Sequence, residues 1–217
     1  MPNWCSTDIY FTGDTESITD LFNKVTEYTS KEFMKSSFGP MWLGNVVLGF
    51  GIETAENISH KSSVRCRGSI NHISDIKETD NDHEFFIQTE TAWEPMLKMW
   101  TEIIKRNYSD EDGNPKITIT YLAYEPGNGL YCTNDMERFG ANKFDYDITD
   151  EENDIYESGW ASTEDDVVKS INHVIEKRGI TLKSLDPDEI DEITEATDDK
   201  LMIDIIELTY QSIDAWE

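Results

Sequence analysis

The sequence predicts an α+β protein: an antiparallel sheet with helices on one face, followed by an acidic, mainly helical C-terminal extension. Three observations carry this expectation. Segments of period-two and helical apolar spacing follow one another as strand, helix, strand, strand, helix, strand over residues 4–124. Residues 145–217 hold 23 acidic and 5 basic groups, a net of −18, against −9 for residues 1–144. No Gly/Ser-rich or Pro-rich linker separates the two parts. The organisation expected is a domain over residues 1–148 with an acidic helical extension, 149–217, packed on it.

Residues 4–12 alternate, with Cys5, Thr7, Ile9 and Phe11 on one face, and read as a strand. Gly13-Asp14 ends it, and Asp14 or Thr15 can cap the helix carried by Ile18, Leu21, Phe22, Val25 and Tyr28. Residues 45–52 form a short apolar run of ambiguous type. Residues 64–76, with Gly68 inside, read as a strand with a bulge, joined by a polar turn to a second strand over 84–91. Pro95 suits the first turn of a helix whose stripe is Met96, Leu97, Trp100, Ile103 and Ile104. Asp110 to Asn114 is turn chemistry, and residues 117–124, rich in Ile, Thr and Tyr, form a strand. This order is the split-βαβ pattern of a ferredoxin-like sandwich.

Gly127 and Gly129 mark a turn, and residues 130–148 add a strand or hairpin. Ser162-x-x-Asp165 resembles a capping box ahead of a helix with Val167, Val168, Ile171, Val174 and Ile175 inward, and Gly179 stops it. Pro187 opens a very acidic helix, and residues 201–216 read as a last amphipathic helix.

Composition narrows the function classes. The net charge of −27 disfavours direct contact with nucleic-acid backbones or anionic membranes, both of which attract clustered cations. With 37% hydrophobic residues and six Trp the chain is foldable rather than a disordered acidic tail. No apolar stretch approaches the ~20 residues of a membrane span. The opening residues lack the basic and apolar regions of a signal peptide. Three widely spaced Cys fit a reducing compartment, so the location expected is the cytoplasm of a bacterial host.

The opening Met1-Pro2-Asn3-Trp4-Cys5, with the strand ending at Thr12-Gly13, resembles the YubB-type ferredoxin-like family of phage and plasmid proteins. Glu90-Thr91-Ala92-Trp93-Glu94-Pro95 is similar to that family's Thr-Ala-Trp-x-Pro lead into its second helix. Ala123 to Gly129 is similar to its Glu-x-Gly turn after the fourth strand. Arg67-Gly68-Ser69-Ile70-Asn71 stands where the family carries Trp-Gly-Thr-Lys-Trp, a departure from its pattern. The resemblance spans residues 1–135. It implies a fold and a mobile-element origin, and no reaction.

Two groups of residues are candidate sites. Trp4, Trp93 and Tyr131 fall at strand or helix ends and can be read as an aromatic platform for a base or ring, stacking being worth ~1–3 kcal/mol per base. The reading preferred for Trp4 and Trp93 is that of core staples, which hold the first helix and the sheet together. The second group is the acidic run Asp186, Asp188, Glu189, Asp191, Glu192, Glu195, Asp198 and Asp199. On a helix rising ~1.5 Å per residue it sets about one charge per 2.5 Å, comparable with one per ~1.7 Å along duplex DNA. The same run also reads as a solvated face that keeps the chain soluble.

Other chemistry lacks its signature. Cys5, Cys66, Cys132, His60, His72 and His83 show no zinc spacing, and residues 110–114 fail the EF-hand pattern. No nucleophile elbow, phosphate-binding loop or dinucleotide fingerprint occurs. No metal, cofactor or catalytic residue is therefore expected. The function expected is a non-enzymatic acidic binding protein of a phage or mobile element. It would inhibit a host nucleic-acid-binding defence protein, of anti-CRISPR or anti-restriction type, by charge mimicry at a basic protein surface. A ligand-binding or enzymatic domain using the aromatic site, and a structural accessory protein with a free sheet edge, are the alternatives.

Overall fold

The computed structural model describes residues 3–33, 37–53, 64–79, 82–125, 127, 130–140, 143–197 and 200–210. The chain divides into two compact units after Glu125. The boundary expected at 148/149 would cut through a strand, Lys143–Asp150, that is paired on both sides from Phe144 to Asp150. Among the described residues no helix is long and apolar enough to cross a membrane.

The first unit contains β1 (Trp4–Gly13), α1 (Thr15–Tyr28), α2 (Leu43–Gly49), β2 (Gly68–Ile73), β3 (Lys77–Glu78), β4 (His83–Ala92), α3 (Leu97–Asn107) and β5 (Ile117–Glu125). Its strands run in the order β2-β4-β1-β5, each antiparallel to its neighbours, with β3 paired to β4. Alternation along β1 buries Cys5, Thr7, Ile9 and Phe11 on one face, as the period-two pattern requires. Phe11 and its cross-strand partner Phe85 stack at 5.1 Å. Phe22 of α1 meets Phe85 edge-on at 5.5 Å, and Trp100 of α3 meets Phe11 edge-on at 5.1 Å. Both helices therefore lie on the same face of the sheet.

Local sequence explains the joints. Asp14 caps α1 by accepting the Ser17 N–H at 2.9 Å and the Ser17 hydroxyl at 2.7 Å. A Cβ on Gly68 would lie 2.4 Å from the Glu90 carbonyl oxygen, so only glycine lets β2 approach β4 there. The register of that pair then shifts between Ile70 and His72, the bulge expected in this segment. Helix α3 begins at Leu97 rather than at Pro95. Met96, its N-cap, is left-handed at φ 51°, which holds Pro95 outside the helix.

The second unit contains β6 (Leu130–Thr133), α4 (Met136–Phe139), β7 (Lys143–Asp150), β8 (Ile155–Ala161), α5 (Glu164–Ile175), a 3₁₀ turn (Glu176–Arg178), α6 (Pro187–Ala196) and β9 (Leu201–Tyr210). Its strand order is β6-β9-β7-β8, with β6 parallel to β9 and the other pairs antiparallel. Phe144, Tyr146 and Ile148 of β7 pack with Val167, Ile171, Val174 and Ile175 of α5 to form its core. The cap of α5 is Thr163, one residue later than expected, accepting the Asp166 N–H at 3.2 Å. Gly179, left-handed at φ 67°, ends the turn after α5.

The C-terminal region is thus not mainly helical. Residues 201–210, expected in a helix, form β9, whose eight residues 201–208 pair with β7. Ile203, Ile205 and Ile206 favour the extended backbone, and a neighbouring strand supplies the ladder. The rest of the expected helix, 211–216, lies outside the described residues.

Candidate protein-binding site

The acidic helix α6 is built as its sequence dictates. Asp186 caps it by accepting the Asp188 N–H, and Pro187 occupies the first turn, where a missing N–H costs nothing. Ile190 and Ile193 turn toward the core of the unit. Asp188, Asp191, Glu192 and Glu195, spaced i, i+3, i+4 and i+7, are all exposed and make one stripe along the opposite side.

The eight carboxylates are not equivalent. Glu189 folds back onto the preceding loop, where it accepts the Lys183 N–H at 2.9 Å, the Ser184 N–H at 3.2 Å and the Ser184 hydroxyl at 2.9 Å. Led by the Lys183 N–H, these bonds hold its carboxyl below the usual range. Glu189 is a structural residue of the loop. Asp198 and Asp199 lie outside the described residues.

Beside α6 the structure opens a groove of about 710 Å³. Phe144, Ile190, Ile203 and Ile205 give it an apolar floor. Glu164, Asp186, Asp191, Asp204 and Glu207 stand around it, and among the described residues no Lys, Arg or His lines it. Sequence reasoning missed this groove. Its residues come from β7, α5, α6 and β9, and the only local signal was the acid content of each segment.

The aromatic candidates differ in exposure. Trp4 and Trp93 are 51% and 54% exposed, so neither is a core staple. They lie at one end of the β1–β4 pair, where Trp4 is opposite Ala92 and the Trp93 N–H donates to the Asn3 carbonyl at 3.0 Å. Tyr131 belongs to the second unit and is completely buried, its hydroxyl donating to the Gly140 carbonyl at 2.7 Å. A ring that is buried and hydrogen-bonded internally cannot serve as an open stacking surface.

On the face of β7 away from α5, Asp145 and Asp147 alternate. Burial, and then the charge of Asp147, push the Asp145 carboxyl above its ordinary value. Cys5, Cys66 and Cys132 are all buried, and none of them is in a disulfide. Among the described residues no three His, Cys, Asp or Glu converge as a metal site, and His60 lies outside them. Comparison of the chain with protein-family models, with curated proteins and with solved structures gives no match.

Proposed function

We propose that this chain is a non-enzymatic binding protein whose acidic C-terminal unit engages a basic protein surface. The observation that carries the reading is the stripe Asp188, Asp191, Glu192 and Glu195, four solvent-facing carboxylates on one side of a capped helix. Such a stripe presents to a Lys/Arg-lined groove a field like that of a phosphate backbone, and association through it is fast and salt-sensitive. The partner in this reading is a host nucleic-acid-binding defence protein, of CRISPR or restriction type, occluded by the mimic.

The first unit is read as a ferredoxin-like domain. Its strand order β2-β4-β1-β5 and the placing of α1 and α3 on one face support this. The similarity of residues 1–5, 90–95 and 123–129 to the YubB-type family supports a phage or plasmid origin, and buried cysteines outside disulfides suit a cytoplasmic setting.

The test uses the immobilised full chain and a variant carrying Asp188→Asn, Glu192→Gln and Glu195→Gln, each exposed to bacterial lysate at ~0.1 M and ~0.5 M salt. Nucleic-acid-binding proteins are expected on the wild-type chain at low salt. They should be depleted on the variant, at high salt and by added duplex DNA. Retention of the same proteins by wild type and variant, insensitive to DNA, overturns the reading.

A further inference from the structure

The sheet of the second unit has a covered face and an open one. Phe144, Tyr146 and Ile148 of β7 pack with α5, and their cross-strand neighbours Ile203 and Ile205 share that side with Ile190 of α6. Alternation sends the intervening residues to the other face. There the register of β8, β7 and β9 sets three rows across the strands. In the first, Tyr156 and Met202 flank Thr149, and in the third, Trp160 and Ile206 flank Asp145. The middle row is Ser158, Asp147 and Asp204.

Tyr156, Trp160, Met202 and Ile206 are four of the eight large hydrophobic side chains that stand exposed among the described residues. Single exposed apolar residues need no account, but four on one face of three strands form a patch. Asp147 and Asp204 lie directly opposite each other, a like-charge pair that weakens a sheet. No ion pair among the described residues involves Asp145, Asp147 or Asp204. The only Lys or Arg in these strands is Lys143, whose ammonium stands 4.5 Å from the centre of the Trp160 ring. That ring is already a seat for a cation.

We propose that this open face docks a partner protein that presents arginine between apolar side chains. The inference goes beyond the α6 stripe, which belongs to the helix layer on the other side of the sheet. The rows select the occupant. A guanidinium over the middle row has enough donors, in a planar fork, to bond Asp147 and Asp204 together. Its plane also stacks on aromatic rings such as Tyr156 and Trp160, which an ammonium does less well. The outer rows, about 6.6 Å away along the strands, offer apolar contact on either side. A purely apolar partner would bury the carboxylates without partners, at high cost. A second copy of this chain, with its net −27, would set them against like charge.

The experiment uses the full chain and a labelled synthetic helical peptide in which one arginine has a leucine four residues before it and another four residues after. Four residues of helix rise about 6 Å, close to the row spacing. One control replaces the arginine with citrulline, and a second moves the arginine to the helix side opposite the leucines. Fluorescence anisotropy should show the parent peptide binding at least about tenfold more tightly than either control. Asp147→Asn with Asp204→Asn should weaken it about tenfold, and so should Met202→Thr with Ile206→Thr, which keeps strand-forming residues in place. Asp188→Asn with Glu192→Gln and Glu195→Gln should bind it like wild type. Melting curves check folding, and the Asp147/Asp204 variant should be no less stable than wild type, a like-charge pair having been removed.

Equal binding of the rearranged peptide would mean attraction by charge alone and overturns the inference. Weakening by the α6 variant but not by the sheet-face variants places the peptide on the helix side and overturns it too. So does the absence of binding by any peptide. Sedimentation as a dimer that Met202→Thr with Ile206→Thr dissolves would show the face covered by a second copy, which also overturns it. None of these outcomes decides the α6 reading, which the lysate experiment tests with variants on the other side of the sheet.

Discussion

Arg178, in the turn after α5, donates its Nε–H to a carboxylate oxygen of Asp150 at 2.8 Å and grips the other oxygen with Nη2. Asp150 is fully buried at the end of β7 and also accepts the N–H groups of Glu152 and Asn153, both at 3.1 Å, so one carboxylate organises the β7–β8 turn and anchors it to the helix. Hydrogen bonding from Arg178 holds the Asp150 carboxyl far below its ordinary range. Arg178→Met should cost about 3–5 kcal/mol at neutral pH, because a buried carboxylate is left without its cation. The folded-state value is depressed, so the stabilisation is present above the unfolded value of ~3.9 and is lost as pH falls below it. Urea unfolding of wild type and variant from pH 7 to 3 should therefore show the difference between them shrinking in acid.

Asp145, five residues earlier on the same strand, has the opposite sign. Its carboxyl is raised by burial and by Asp147, so the folded state prefers it protonated, and stability present at low pH is lost as pH rises through the folded value. Asp145→Asn should raise the melting temperature at pH 7, with the gain vanishing below about pH 4. A variant no more stable than wild type at pH 7 contradicts the assignment.

Trp100 and Trp93 should separate cleanly on truncation. Trp100 is completely buried against Phe11, and its Nε1 has no hydrogen-bond partner among the described residues. Trp100→Ala should cost about 3–5 kcal/mol, as large aromatic truncations in cores do. Trp100→Phe should recover most of that loss, since the ring contact survives and an unsatisfied N–H is removed. Trp93→Ala should cost far less than Trp100→Ala, the side chain being half exposed. Chemical denaturation of the three variants checks the ranking.

Two glutamates three residues apart on α6 should behave differently. Glu189→Ala removes the acceptor of two N–H groups and a hydroxyl and should lower the melting temperature. Glu192→Ala, on the exposed stripe, should leave it within about a degree or two, because surface changes free of such bonds are nearly neutral. Melting curves read by circular dichroism at low salt decide between them.

Much of the first unit was legible in the sequence because its signals are local. The alternation Cys5, Thr7, Ile9, Phe11 and the stripe Ile18, Leu21, Val25 each name their own element and its buried side. The second unit was harder. Leu201, Ile205 and Leu208 fit a helical stripe, while Leu201, Ile203 and Ile205 fit a strand, and only the partner β7 resolves the ambiguity. Strand β8 went unread because Glu157, Ser158 and Gly159 interrupt its apolar content, and its backbone is held by β7 rather than by its own propensity. Cap chemistry at Asp186-Pro187 marked the start of α6, but nothing in that segment reveals that β9 lies beside it. Sites assembled from four distant segments have no spacing to read.

The thiols give the molecule an internal clock for its own opening. Cys132 lies in the second unit, and burial pushes its thiol up to about 12, so at neutral pH it stays protonated and unreactive while the unit is closed. Cys5 and Cys66 are equally sealed inside the first unit. An alkylating reagent can mark each of them only during an excursion that exposes it. The order in which the three are labelled reports, without any engineered probe, which half of the chain breathes first and whether the two halves open together or one at a time.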